Sequence, residues 1–255
     1  MLSVQGLCYC KGGTAFLSNI HFELMAGTVL GVIGPNGAGK TTLVRALLND
    51  STPTAGKVLL DGQALARMDA KVKAKQVAML PQMSELRFPF TVEEVVQLGR
   101  IPHASGRLAD ARIVDEAMAL MDITYLQGRC YTDLSGGEKQ RTQLARVMAQ
   151  IWRAEDAAGS RVLVLDEPTS SLDLGHKQQL MKTIHALAAQ GVAVVFIEHD
   201  LNTVAHHCDD LLVLQCGHVK AYGKTVDILT ESLINDVFDA QVRVLMHQNK
   251  LTVIG

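Results

Sequence analysis

The octapeptide Gly34-Pro-Asn-Gly-Ala-Gly-Lys40-Thr41 follows directly on the apolar, β-branched run Val29 to Ile33. A helical pattern comes next, with Leu43, Ala46 and Leu47 on one face. Strand, glycine-rich turn, Lys-Thr and helix in that order form the context in which such a segment cradles phosphate. The glycines let the backbone curl until its N–H groups face anionic oxygens, and the helix N-terminus adds partial positive charge. The phosphate-binding residues are then Gly34, Pro35, Asn36, Gly37, Ala38, Gly39, Lys40, Thr41 and Thr42. Lys40 is expected to reach the β- and γ-phosphates, and the Thr41 hydroxyl to bind Mg²⁺.

A second anchor is Val162-Leu-Val-Leu165-Asp166-Glu167-Pro168, an apolar strand that ends in two carboxylates. Successive side chains of a strand point opposite ways, so the two acids can take separate tasks. Asp166 suits Mg²⁺, through water, and Glu167 can polarise the water that attacks a γ-phosphate. Paired acids at a strand end also occur as a solvated turn; beside a phosphate loop they complete a nucleoside-triphosphatase site.

The pattern around these anchors is α/β. Val29 to Ile33, Val162 to Leu165 and Val192 to Ile197 read as parallel strands buried between helices. Ser3 to Leu7, Ile20 to Met25, and Lys57 to Leu60 before Asp61-Gly62 read as a small antiparallel sheet. Thr91 to Ile151 has a helical texture instead. Thr91 suits the N-cap of a helix over Val92 to Leu98, Asp110 to Met121 suits another, and Leu144, Val147, Met148 and Ile151 share one face of a third. Glu155 to Ser160 reads as an exposed loop.

Composition narrows the partners. A formal net charge of −2 argues against a general nucleic-acid binder. The 5 cysteines are odd in number, in a chain long enough to need no disulfide staples, so reduced thiols are expected. Cys8 with Cys10 lacks a matching second ligand pair, and His206-His207-Cys208 reads as a partly exposed helix end rather than a metal site. No signal peptide and no apolar stretch of the ~18 residues needed for a span is visible, so a partner must hold the protein at any membrane.

Leu134-Ser135-Gly136-Gly137-Glu138-Lys139-Gln140-Arg141 narrows the class. A second glycine-rich anion site at a helix start makes sense if it faces the nucleotide of a different copy. Here the chain resembles the ABC ATPase family, whose signature it matches over these positions. Further landmarks stand in the family's order over residues 1 to 225. Gln82, after Val77 to Leu80, is similar to the glutamine that joins Mg²⁺ and the attacking water to the membrane-facing groove. Ser171-Leu172-Asp173 resembles the loop that crosses the dimer interface, with Ser171 where the family often has Ala. His199 resembles the switch histidine on the γ-phosphate, although Glu198 precedes it where many members have a small or apolar residue. Glu198 is expected to point away from the phosphates. Tyr9 is the candidate for stacking on adenine, with Phe16 expected in the core.

The resemblance implies a P-loop NTPase core with a parallel sheet, an antiparallel β subdomain and an inserted α-helical subdomain, in one ATP-binding domain over 1-255. Its core and β subdomain would span about 1-90 and 152-225, its helical subdomain 91-151, and a C-terminal extension 226-255. ATP and Mg²⁺ are the implied ligands. Lys40, Gln82, Glu167 and His199 are the implied catalytic set, and Thr41, Gln82 and Asp166 the implied Mg²⁺ set. Tyr9, Ser135, Gly136, Gly137, Glu138 and Asp173 join the phosphate loop in binding nucleotide. The implied assembly is a homodimer with two permease subunits and, indirectly, a periplasmic binding protein, on the cytoplasmic face of a bacterial inner membrane. Phe88-Pro-Phe to Gly99-Arg100-Ile-Pro-His103 resembles the importer group for haem, ferric siderophores and cobalamin, and the loop Trp152 to Ser160 resembles its haem branch. Haem import is the first expectation, siderophore or cobalamin import the alternative. A non-transport ABC ATPase is a second alternative, disfavoured by the short gap between loop and signature and by the single domain.

Overall fold

The apolar run Val29–Ile33 is a strand buried along its whole length in a computed structural model that describes residues 1–48, 50–82, 86, 88–153, 156–247 and 250–255. The chain divides into two units, Met1–Met68 with Ala193–Gly255, and Asp69–Val192. The first unit opens with β1 (Leu2–Lys11), β2 (Thr14–Leu24), β3 (Val29–Ile33), α1 (Lys40–Leu47), β4 (Ala55–Leu60) and β5 (Gln63–Ala64). The second holds α2 (Ala70–Gln76), β6 (Val77–Leu80), α3 (Val92–Gln97), α4 (Arg107–Leu120), α5 (Gly136–Ile151), β7 (Arg161–Asp166) and α6 (Leu174–Ala189). The chain then runs through β8 (Val192–Ile197), α7 (Leu201–His207), β9 (Asp210–Gln215), β10 (His218–Lys224), α8 (Thr225–Ile228), α9 (Glu231–Phe238), β11 (Arg243–His247) and β12 (Lys250–Ile254).

In the first unit β3 pairs in parallel with β8 (Val29 opposite Val194) and with β9 (Leu30 opposite Asp210). Both β3 and β8 are buried at every residue, as parallel strands covered on two faces require. The antiparallel sheet has the order β2-β1-β4-β5, with Leu2 of β1 opposite Leu24 and Leu60. The helix end at His206-His207 is half-buried, while Cys208 is buried and burial pushes its thiol up, which keeps it un-ionised.

In the second unit β6 and β7 pair in parallel, Val77 opposite Val162. Thr91 closes a capping box with Glu94 at the start of α3, which ends at Gln97 in a short 3₁₀ turn over Leu98–Arg100. Helix α4 begins at Arg107, one turn before the start expected from Asp110. Of the loop read over Glu155 to Ser160, Glu155 lies outside the described residues, as does Ala154.

Helix α5 carries Leu144, Val147, Met148 and Ile151 into the core at 1% exposure or less. Its last carbonyls have no partner within the helix and are buried, so they need donors from elsewhere. Three side chains supply them in sequence. Arg100 Nη1 donates to Ala149 O at 2.8 Å, His103 Nε2 to Gln150 O at 2.8 Å, and Arg161 Nη1 to Ile151 O at 2.8 Å. The buried Arg100 also pairs with Asp110 at 2.9 Å and Asp156 at 2.8 Å. Burial opposes ionisation of Asp110, but hydrogen bonds from Arg100 and Ser105 outweigh it and hold the carboxyl below its usual range. Burial, then the Arg100 charge, keeps His103 below the ordinary histidine value. Arg100→Met is therefore expected to leave two carboxylates and a helix end without their donor, costing about 3 kcal/mol of stability in urea denaturation.

Candidate functional site

The phosphate loop lies in the first unit, between β3 and α1. Gly39 is the N-cap of α1, at φ 105°, and no side chain caps this helix start. A Cβ on Gly39 would sit 2.8 Å from Phe16 O and 2.9 Å from a Leu17 methyl, so only glycine fits both the turn and the space. The loop is also braced by the β9–β10 turn, where Gly217 N donates to Ala38 O at 3.0 Å and Ser18 N to Gly217 O at 2.8 Å. Lys40 is 8% exposed and folds back over its own loop, with Nζ donating to Gly34 O at 2.6 Å and to Pro35 O at 3.2 Å. Thr41 is exposed and Thr42 half-buried at the start of α1.

Tyr9 of β1 is half-buried, and its ring meets Phe16 of β2 edge-on, with centroids 6.4 Å apart. Phe16 was expected in the core and is instead 41% exposed. It sits on β2 one residue before the buried Leu17, so strand alternation turns its side chain outward while its carbonyl abuts Gly39. This proximity has no signature in the spacing of the motifs. His199 follows β8 and is exposed; its backbone N–H donates to Glu198 Oε1 at 2.8 Å. The Glu198 carboxylate is thus turned to its own neighbour's backbone.

The second unit carries the other expected residues. Asp166 ends β7 and is 4% exposed. Glu167 has φ 50°, a left-handed backbone uncommon for a non-glycine residue and often associated with functional turns. Gln82, just past β6, donates from Nε2 to Glu167 Oε2 at 2.8 Å, so these two come together. Ser135 is the N-cap of α5 in a capping box, with Ser135 N to Glu138 Oε2 at 2.8 Å and Glu138 N to Ser135 Oγ at 3.4 Å. Hydrogen bonds from the Ser135 side chain, then its backbone, hold the Glu138 carboxyl below its usual range. Gly137 packs so closely that a Cβ would lie 3.1 Å from Ser171 O, and Gln140 Nε2 donates to Pro168 O at 3.1 Å. The signature helix thus touches the segment after Glu167. Asp173 caps α6 by accepting from His176 N at 2.9 Å, and it also bonds the His176 ring at 2.8 Å. The His176 backbone, then its ring, lowers the Asp173 carboxyl.

Among the described residues, no group of three or more His, Cys, Asp or Glu side chains could hold a metal by itself. Thr41 lies in the first unit, and Gln82 and Asp166 lie in the second. A hydroxyl, an amide oxygen and a carboxylate are each donors of the hard oxygen kind that Mg²⁺ takes. No described helix is long and apolar enough to cross a membrane.

A family model for ABC transporters matches residues 17–170. The hemin import ATP-binding protein HmuV of Pseudomonas entomophila is 46% identical over 250 residues, covering 98% of this chain and 97% of that protein. The protein of the same name from Gloeobacter violaceus is 43% identical over 249 residues, covering 97% and 90%. Two solved structures share the fold. An ATP-binding subunit of an ABC transporter has a TM-score of 0.80 at 22% identity, with 94% of each chain covered. A bacterial ABC transporter cassette in dimeric form has a TM-score of 0.77 at 23% identity, with 88% and 99% covered.

The seating of Gly39 leads to a prediction. Gly39→Ala forces the loop away from Phe16 and strains the turn. It is expected to cost about 2 kcal/mol in urea denaturation and to weaken nucleotide binding about tenfold in a fluorescent-nucleotide titration.

Proposed function

Because this chain belongs to the ABC transporter family, we propose that it is the ATP-hydrolysing subunit of an importer and that the imported compound is haem. The observation that carries the cargo is the near full-length likeness to the hemin import ATP-binding proteins. Ferric siderophore and cobalamin are the competing cargoes. Two copies of the chain would act together, with two transmembrane permease subunits and a periplasmic binding protein, at the cytoplasmic face of an inner membrane, and without nucleic acid. The cargo would be chosen by the permease and binding protein.

In this reading the uncapped N–H groups of α1 and its loop take the phosphate oxygens, and Lys40 exchanges its own carbonyls for the β- and γ-phosphates. Thr41, Gln82 and Asp166 hold Mg²⁺, which when bound offsets charge on the phosphates. Tyr9, with Phe16 beside it, offers an aromatic edge to the adenine. Glu167, oriented by Gln82, polarises a water. The water oxygen bonds to the γ-phosphorus, the bond to the bridging oxygen of ADP breaks, and inorganic phosphate leaves. His199 senses the γ-phosphate. Ser135 to Glu138, and the loop bearing Asp173, serve the nucleotide of the partner copy. Catalysis is then positioning and charge stabilisation, as in phosphoryl transfer generally.

Two outcomes are expected. Glu167→Gln keeps ATP binding in an equilibrium titration but lowers hydrolysis about 100-fold or more, because an amide does not accept a proton as a carboxylate does. Wild-type turnover in this variant removes Glu167 from its role. For the cargo, haem-loaded binding protein stimulates ATP hydrolysis by the reconstituted transporter, while cobalamin- and ferric-siderophore-loaded controls do not. Stimulation by a control with none from haem leaves an importer and rejects haem.

A further inference from the structure

Val242 and the strands β11 and β12 are bound to the preceding part of their unit by two side-chain amides, each matched to one peptide group as a neighbouring strand would be. Asn202 on α7 donates from Nδ2 to Val253 O at 3.0 Å and accepts at Oδ1 from Val253 N at 2.7 Å. Asn235 on α9 does the same to Val242, just before β11, accepting from its N–H at 2.8 Å and donating to its carbonyl at 3.4 Å. Glu231 adds a bond from Val244 N at 2.9 Å. Strands β11 and β12 pair only with each other, so each has one open edge in the described residues. The asparagines occupy those edges at the two helices, as a donor–acceptor pair matched to a peptide group requires.

Helix α7 needs such help. It has seven residues, too few to be stable as an isolated helix. Val204 is its one fully buried side chain, seated over Gly31 of β3, where a Cβ would come within 2.8 Å of the valine methyl. Asp200 caps its start by accepting from Asn202 N at 3.0 Å and from the Thr203 hydroxyl at 2.6 Å. The residue before that cap is His199. Cys208, the C-cap, is buried over the same glycine, so this packing secures the middle and the far end of the helix, and the pair between Asn202 and Val253 is the anchor at the end nearest His199.

We propose that the C-terminal hairpin is a strap that fixes α7, and that Asn202 is a positioning residue for His199 in ATP hydrolysis. The inference rests on the γ-phosphate role of His199 given above. Asn202 itself touches no nucleotide. Its amide holds the helix start, the helix start holds Asp200 and the backbone beside it, and the His199 ring projects from that backbone. A displacement well under the 1 Å that can cost ~100-fold in rate still lowers turnover. Nucleotide affinity, which the phosphate loop supplies, stays as it was.

The test uses the full-length chain in single-turnover ATP hydrolysis at high protein concentration, which also reads small residual rates. Asn202→Ala is expected to lower the rate about tenfold, with the nucleotide Kd close to wild type and a modest drop in the urea midpoint from the two lost hydrogen bonds. Val253→Pro removes the facing donor from the β12 side and sets a ring carbon against the Asn202 amide, which has to give way. Val253 N–H is given to Asn202 rather than to β11, so the hairpin survives, and the same loss of rate is expected. Asn202→Asp, which keeps the acceptor and loses the donor, falls between. His199→Ala lowers the rate further, and adding Asn202→Ala to it changes nothing more. A wild-type rate in both Asn202→Ala and Val253→Pro overturns the strap. An equal further loss in the His199→Ala background overturns the route through His199. A wild-type rate in His199→Ala instead overturns the role of that histidine, and is read separately from the Asn202 variants.

Discussion

A loop that offers its backbone N–H groups to an anion cannot also use them to hold its own shape, so its shape must come from neighbours. The phosphate loop shows how this is met. Gly39 is pressed on Phe16 O, a Cβ on Gly34 would lie 2.3 Å from Leu214 O, and Gly217 N–H reaches across to Ala38 O. The hairpins β1–β2 and β9–β10 form a mould for the loop, and the glycines are where the mould touches it. The N-cap is Gly39, which has no side chain to close the helix start, so the first turn can present its N–H groups to a ligand.

The signature helix α5 solves the same problem at its other end. Its start is closed by a capping box between Ser135 and Glu138, while Ser135 and Gly136 remain exposed. Its end is buried, and the helix dipole places negative charge there. Arg100, His103 and Arg161 bring donors, two of them permanent cations, to three successive carbonyls. The segment Gly99-Arg100-Ile-Pro-His103, which resembles one cargo group in sequence, therefore has a use that involves no cargo. Asp156, on the loop that resembles the haem branch, is a partner of the same arginine. A stretch that carries a family resemblance can thus serve packing within its own unit.

Much of the architecture was legible because it is written locally. A buried parallel strand needs a β-branched run, a phosphate cradle needs glycines and a lysine at fixed spacing, and an N-cap needs Thr91 or Ser135 before its helix. These are statements about neighbours in sequence. What could not be read depends on residues far apart in the chain. Asn202 meets Val253, and Arg100 meets Ala149 and Asp156, with no periodicity to announce either. Phe16 is expected in the core, but the register of β2 places Leu17 inside and leaves Phe16 out. The positive φ of Glu167 is equally silent in sequence, since glutamate gives no hint of a left-handed turn. For the candidate site, residue types and order were readable, and the present partners of each side chain were not.

Those partners share one feature. Lys40 sits on the carbonyls of Gly34 and Pro35, Gln82 on Glu167, Glu138 on Ser135, and Asp173 on His176. Each of these four groups is satisfied by its own chain, so a ligand gains from them only the difference between two sets of hydrogen bonds. That difference is about 1 kcal/mol for a neutral bond and more where charge is involved. Lys40 is the clearest case, because it would trade neutral carbonyls for anionic phosphate oxygens, an exchange that strengthens both of its bonds. Gln82 has nothing to exchange: its Nε2 donates to Glu167 and can keep doing so while its Oε1, an acceptor, meets a cation. In the proposed chemistry Lys40 is therefore the residue whose bonds strengthen on binding, and Gln82 the one that keeps Glu167 in place as the cation arrives.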